Sequence, residues 1–157
     1  MSRFRGQFSH SMDKKGRVSI PSKFRDILRE HYGEQLILSL RKGCVVAYPT
    51  KEWEKLEDSI GKLPPFSNIV KEYKRVFISN AQDCPIDSQG RILVPPELRD
   101  RAGLKEKILF VGMTEYFELW DRNAYLETYE HKLEELPQIE EQLHLMTQKN
   151  RAEHDPR

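Results

Sequence analysis

From Phe8 to Met12 the chain alternates apolar with polar positions, and the alternation resumes at Val18 and Ile20 after the polar run Asp13-Lys14-Lys15-Gly16. A period of two is that of a half-buried strand. The polar run is turn chemistry, because Asp can bond its own following backbone and Gly tolerates positive φ. Pro21 has no N–H to give a ladder, so it ends the second strand and can open a helix. That helix, Ser22 to Leu28, places Phe24, Ile27 and Leu28 at i, i+3, i+4. Two apolar segments follow, Gln35 to Leu40 and Gly43 to Pro49, separated by Arg41 and Lys42, and they read as a hairpin.

The same pattern then returns in the same order. Cys84 to Ile86 leads into the turn Asp87-Ser88-Gln89-Gly90, the strand Arg91 to Val94 and the helix Pro96 to Ala102, which stops at Gly103. Lys107 to Met113 and Tyr116 to Trp120 form the second hairpin. Each copy ends in an aromatic, Tyr48 or Trp120, and turns into a further helix with Thr50 or Asp121 as the predicted N-cap. Asp13 aligns with Asp87 at an offset of 74 and Tyr48 with Trp120 at 72, so the first copy carries two extra residues, placed by the pattern in the loop around Glu30–Gln35.

A β-rich unit of this size buries too little surface to fold alone, so the copies are expected to interleave around one core. The fold class predicted is α+β: a pseudo-two-fold β-barrel made of two β-turn-β-α-β-β repeats with flanking helices. The boundaries follow as 7–52 for the first repeat, 53–80 for a helical connector, 81–124 for the second repeat and 125–157 for a C-terminal helix and loose acidic tail. In the connector, Trp53, Leu56 and Ile60 share one helix face, and Ile69, Val70, Tyr73, Val76 and Phe77 share another; both stripes read as core or subunit contacts. Beyond Pro137, Ile139, Leu143 and Met146 suit a short amphipathic helix, and the tail is expected to loosen from Thr147.

Composition narrows the class. Of 157 residues 38% are apolar and 32% charged, and no run approaches the length of a membrane span, so a soluble globular chain is expected. The opening "MSRFRGQFSH" has no apolar core of a secretory signal, which points to the cytoplasm. Cys44 and Cys84 stand apart, with no partner at zinc-ligand spacing, so they read as reduced strand thiols and neither metal nor cofactor is expected. His10, His31, His131, His144 and His154 form no spaced cluster, and the single glycines of "KKGRVS" and "SQGRIL" fall short of a phosphate loop. An enzyme is therefore not expected.

Charge is graded along the chain. Residues 1–29 hold eight bases against two acids, a net of +6, whereas residues 115–157 hold five bases against eleven acids, a net of −6. One basic face on a nearly neutral molecule is what a polyanion partner requires, and the same asymmetry permits head-to-tail attraction between subunits. Around the first turn the sequence gathers Lys14, Lys15, Arg17, Lys23 and Arg25, with Arg3 and Arg5 close by. In D-x-x-G-R the acid and the arginine can meet across the turn, as Asp13 with Arg17 and Asp87 with Arg91. Such a pair can merely brace a turn. It can also aim arginines suited to phosphates and guanine edges, and spacing and charge fit the two readings equally. The second copy is neutral between Asp83 and Lys107 and has Ser88 and Gln89 where the first has Lys14 and Lys15, so the first should attract phosphate more strongly.

The paired motifs Asp13–Arg17 and Asp87–Arg91, each followed by a proline (Pro21, Pro95), resemble the MraZ family. So do "FRGQFSHSMDKKGRVSIPSKFR" and "LFVGMTEYFELWD", and the likeness runs in collinear order over about residues 3–130. The resemblance implies two SpoVT-AbrB-type swapped-hairpin units in a bacterial transcriptional regulator. It implies a homo-oligomeric ring that binds double-stranded DNA at direct repeats upstream of its own cluster of division and cell-wall genes, hence association with the nucleoid. By position it implies DNA contacts from Arg17, Lys15 and Arg25 in the first unit and from Arg91 and Arg99 in the second. Lys14, Arg3 and Arg5 add to the basic edge, while Asp13, Gly16, Asp87 and Gly90 shape the turns. Asp26 and Asp100 stand where relatives with one such unit often have another arginine. The competing expectation is an oligomeric interaction scaffold whose basic edge takes an acidic protein partner or RNA.

Overall fold

The computed structural model describes residues 3–154, which divide into two compact units, residues 3–124 and 125–154. In the first unit the strands are β1 (Gln7–Ser11), β2 (Arg17–Ser19), β3 (Gln35–Arg41), β4 (Cys44–Pro49), β5 (Gln82–Pro85), β6 (Arg91–Leu93), β7 (Lys107–Gly112) and β8 (Phe117–Asp121). Its helices are α1 (Ser22–His31), α2 (Thr50–Gly61), α3 (Asn68–Val76) and α4 (Pro96–Ala102), with a 3-10 turn at Ile78–Asn80 and the start of α5 (Arg122–Tyr129). The second unit holds the rest of α5, a 3-10 turn at Lys132–Glu135 and α6 (Leu136–His154).

Six strands form one sheet in the order β1-β7-β8-β4-β3-β5, and β2 pairs with β6 in a separate ribbon; every ladder is antiparallel. Read from either end, the order meets equivalent strands of the two copies, β1 and β5, then β7 and β3, then β8 and β4. The registers obey the same relation. Phe8 faces Phe110, and the equivalent positions Gln82 and Leu38 face each other; Val18 faces Ile92 and Val46 faces Glu118, each pair being its own equivalent. The copies interleave because the first strand of each finds its partner in the other.

The expected barrel does not close. β1 and β5 lie at opposite ends of the sheet, and the strands that could bridge them, β2 and β6, are only three residues long and pair with each other. Each is bounded on one side by its turn and on the other by Pro21 or Pro95, which has no N–H to give a ladder. The result is an α+β unit with an open antiparallel sheet.

One sheet face, the β2–β6 ribbon, α1 and α4 enclose the core, where Phe4, Phe24, Leu28, Leu98, Phe110 and Phe117 are fully buried. The phenylalanines meet edge-on or tilted, with Phe24 at 5.0 Å from Phe117 and 5.3 Å from Phe4, the geometry that ring quadrupoles favour. On the sheet's other face, Trp53 of α2 packs at 5.4 Å from Tyr48 and 5.2 Å from Phe77. The Arg41 guanidinium lies over Phe77, Tyr116 and Tyr48, 4.6, 5.1 and 5.6 Å from their centroids. Cys44 and Cys84 are buried, unbridged thiols in β4 and β5; burial pushes Cys84 up to about 11 and Cys44 further up. No helix among the described residues is long and apolar enough to cross a membrane.

Several local expectations change. Asp121 caps α5 as expected, its Oδ2 accepting from the Ala124 N–H at 3.1 Å. Thr50 does not cap α2: it is the first helical residue, after Pro49, and its hydroxyl donates to the Gln35 carbonyl instead. The two surplus residues of the first copy lengthen α1 to ten residues against seven in α4, while its following loop is one residue shorter. α4 stops early because Gly103 adopts φ +68°, a left-handed cap that α1 lacks at Tyr32. The tail expected to loosen at Thr147 continues in α6 to His154.

Candidate nucleic-acid interface

Each D-x-x-G-R motif closes on itself. Asp13 Oδ1 accepts from the backbone N–H groups of Lys15 (3.0 Å) and Arg17 (2.9 Å), and Oδ2 accepts from Arg17 Nε at 2.7 Å. Asp87 repeats the set with Gln89 (2.9 Å), Arg91 (2.9 Å) and Arg91 Nε (3.0 Å). One carboxylate thereby fixes the turn and the direction of the arginine that leaves it. The Arg17 backbone N–H, with the Arg17 side chain and the Lys15 N–H adding, holds the Asp13 carboxyl below its ordinary 3.8, and the Arg91 backbone N–H leads the same effect at Asp87.

The turns meet through the ribbon. Val18 and Ile92 point to the core, so the pleat turns Arg17, Ser19, Arg91 and Leu93 to the outer face. Arg17 lies opposite Leu93 and Arg91 opposite Ser19, which puts the two arginines on one diagonal roughly 8 Å apart. The glycine carbonyls extend the pairing, Gly90 to the Ile20 N–H and Gly16 to the Val94 N–H, both at 2.9 Å. Lys14 and Lys15 are exposed at the tip of the first turn, and Ser88 and Gln89 at the second. Alternation along the chain already turns Ser19 to the side of Arg17; Leu93 is the member of this face that charge and motif reasoning missed, and the same alternation from Arg91 would have found it. Leu93 is 55% exposed, a large apolar side chain held out to solvent between arginines.

Arg25 and Arg99 do not stand with the arginines of their own motifs. Arg25, on α1, lies against the second turn, donating from Nη2 to the Ser88 carbonyl at 3.2 Å, and a Cβ on Gly90 would sit 2.6 Å from its Nη1. Its side chain is 18% exposed, Nε is buried without a hydrogen-bond partner, and Glu34 lies 3.7 Å from Nη2. Arg99, on α4, lies against the first turn: its Nε donates to the Val94 carbonyl at 2.9 Å, and a Cβ on Gly16 would be 2.6 Å from its Cζ. Each helix arginine therefore backs the turn of the opposite copy. Sequence order had grouped Arg25 with the first turn, and interleaving moves it to the second. Asp26 and Asp100 are exposed.

Arg3 and Arg5 are exposed but lie elsewhere. Phe4 between them bridges to Thr114, and that pairing sets them beside the β7–β8 turn, the length of β1 away from the motif turns, on the order of 15 Å. Lys23, on the first turn of α1, is exposed.

A duplicated, interleaved α+β chain with an arginine-bearing β-ribbon on its surface is the class these features define. The family model described as "MraZ protein, putative antitoxin-like" matches residues 3–74 and again 77–149. Curated relatives named "Transcriptional regulator MraZ" include those of Syntrophobacter fumaroxidans, 43% identical over 78% of this chain and 81% of its own, and Thioalkalivibrio sulfidiphilus, 39% identical over 80% of this chain and 84% of its own. The solution structure of PHS018 from Pyrococcus horikoshii aligns over 72% of this chain and 94% of that one, at 17% identity and a TM-score of 0.34, too low to bear on the fold. The chain belongs to the MraZ family.

Proposed function

We propose that this protein is a DNA-binding transcriptional regulator whose β2–β6 ribbon enters the major groove. The observation that carries the reading is the outer face of that ribbon, where Arg17 and Arg91 stand on one diagonal with Ser19 and Leu93 between them. A major groove about 12 Å wide admits a two-stranded ribbon. Arginines held by Asp13 and Asp87 lose less freedom on docking than free side chains would, so bidentate contact to guanine is favoured. Leu93 offers apolar surface to a thymine methyl and Ser19 a hydroxyl to either base. Lys14 and Lys15 supply phosphate contacts at one end of the ribbon. Arg25 and Arg99 hold the turns from behind, and Arg3 and Arg5 would add phosphate contacts only where DNA passes the β7–β8 turn. The relatives named as transcriptional regulators support this assignment.

One ribbon makes few phosphate contacts. A ring of subunits that presents several ribbons to direct repeats multiplies that affinity through effective concentration, by ~10²–10⁴ where spacing fits. Its place of work would then be the cytoplasm, at the nucleoid, on repeats upstream of its own gene cluster.

The test compares DNA from upstream of the protein's own gene with scrambled DNA of equal length across a salt series. Preference for the native sequence is expected to persist as salt rises. Arg17→Ala should lose about 1–3 kcal/mol of specific binding, roughly 5- to 150-fold, while the chain stays folded. Equal, steeply salt-sensitive binding to both DNAs would favour a scaffold with a basic edge instead.

A further inference from the structure

We propose that the cavity between β1 and the start of α5 binds the phosphate group of a small free phosphomonoester, at a site separate from the β2–β6 ribbon.

β1 is an edge strand with two different faces. Phe8 and His10 turn to the core, where their rings meet Phe24 and Phe110 at 5.2 and 5.5 Å. Ser9 and Ser11 therefore turn to the opposite sheet face, and both are exposed. Ser11 lies directly across from Lys107 of β7, and Arg122 follows β8, whose Asp121 faces Ile108. Ser9, His10, Ser11, Lys107 and Arg122 line an open cavity of about 460 Å³, a size that suits a small ligand.

The chemistry of the lining selects an anion. No acid is part of it among the described residues. The side chains of Ser9, Ser11, Lys107 and Arg122 form no hydrogen bond or ion pair among the described residues, so their donors are open to a ligand. The strand edge adds to them. The Met12 N–H bonds the Glu106 carbonyl and the Gly112 N–H the Gly6 carbonyl, so the alternation of an antiparallel ladder points the N–H groups of Ser9 and Ser11 away from β7. Two cations without a counter-acid match a phosphomonoester, which carries about −1.5 to −2 at neutral pH. A guanidinium can fork onto two of its oxygens.

The other copy supplies a comparison within the molecule. β5 and the start of α2 bound the equivalent cavity, of about 300 Å³, where Asp83 stands for Ser9 and Thr50 for Arg122, with Glu54 and Glu57 beside them. The fold makes this hollow twice, and the sequence makes one basic and the other acidic, so folding does not require cations there. The ribbon covers the core on the opposite sheet face, so DNA seated on it would lie across the sheet from the basic cavity.

Equilibrium dialysis of the full chain against labelled inorganic phosphate and ribose 5-phosphate, at fixed sodium chloride, tests this. One equivalent of either probe per chain is expected. Lys107→Ala with Arg122→Ala should weaken both by at least about tenfold, as the loss of a charge-assisted hydrogen bond predicts, with circular dichroism unchanged. Ser9→Asp, which copies the residue at the equivalent place in β5, should weaken both as much by repulsion. Lys14→Ala with Lys15→Ala should leave phosphate uptake at the wild-type level. Wild-type uptake by either cavity variant, or uptake lost with Lys14 and Lys15 instead, would overturn the inference. A wild type that takes up neither probe would overturn it too. If Lys107→Ala with Arg122→Ala then lowered the salt slope for upstream DNA by about two, the cations would serve the phosphates of DNA instead. Uptake of the free probes is read without DNA, so its outcome is separate from whether the ribbon reads a sequence.

Discussion

Gly16 shows how a single residue can be constrained from two sides. Its φ of +93° lies in the region that favours glycine, and the space a Cβ would need is filled by the Arg99 guanidinium. Gly16→Val should therefore destabilise the unit by ~1–3 kcal/mol through backbone strain, with the clash adding to it, read as a fall in the urea midpoint. The acids of the same turns set an acid limit. Because Asp13 and Asp87 titrate below their ordinary 3.8 in the folded chain, their contribution is present above that value and is lost as pH falls through the depressed folded values. Stability measured from pH ~5 down to ~2 should decline below about 4. Asp13→Asn with Asp87→Asn should be less stable at neutral pH and flatter across that acid range. An unchanged acid slope in the double variant would remove these carboxyls as its cause.

At the scale of elements, what matters is which turn each helix supports. α4 follows the second turn in sequence but braces the first through Arg99, and α1 braces the second through Arg25. Arg99→Ala should loosen the Lys14–Arg17 turn, costing about 1–2 kcal/mol of stability for the lost hydrogen bond, and should weaken DNA binding indirectly. Salt separates the mechanisms. Lys15→Ala should lower the salt slope by about one, as the loss of a phosphate contact does, and Arg17→Ala should chiefly relax sequence preference, whereas Arg99→Ala should leave the slope near the wild type. A slope that falls by one in Arg99→Ala would make it a direct contact. The elements themselves were largely legible in the chain. Alternation located β1 and β2, and Asp, Gly and Pro bounded them. The stripe of α3 was legible too, but not its division into a buried face at Val70 and Phe77 and an exposed one at Ile69 and Val76, because apolar residues at helical spacing do not say which neighbour covers each.

For the whole molecule, the repeated phrase at an offset of 74 predicts that two equivalent halves share a core, and the mirrored strand order shows how: β1 with β7, β3 with β5 and β2 with β6. Periodicity is local and is written into the chain. The two motifs, their turns and their Asp–Arg pairs are determined within five residues each, so the sequence by itself established them, along with the charge gradient and the family resemblance. Pairing between strands tens of residues apart depends on which surfaces bury each other, and no spacing encodes that. Only the tertiary structure decided that the sheet stays open and that Arg3 and Arg5 lie away from the turns. It alone seated Arg25 and Arg99 behind the opposite copy's glycine and set β2 beside β6, so that Leu93 stands opposite Arg17 and Ser19 opposite Arg91. Interleaving, a long-range exchange of partners driven by the need of two small units to bury one core, is the physical reason for the difference.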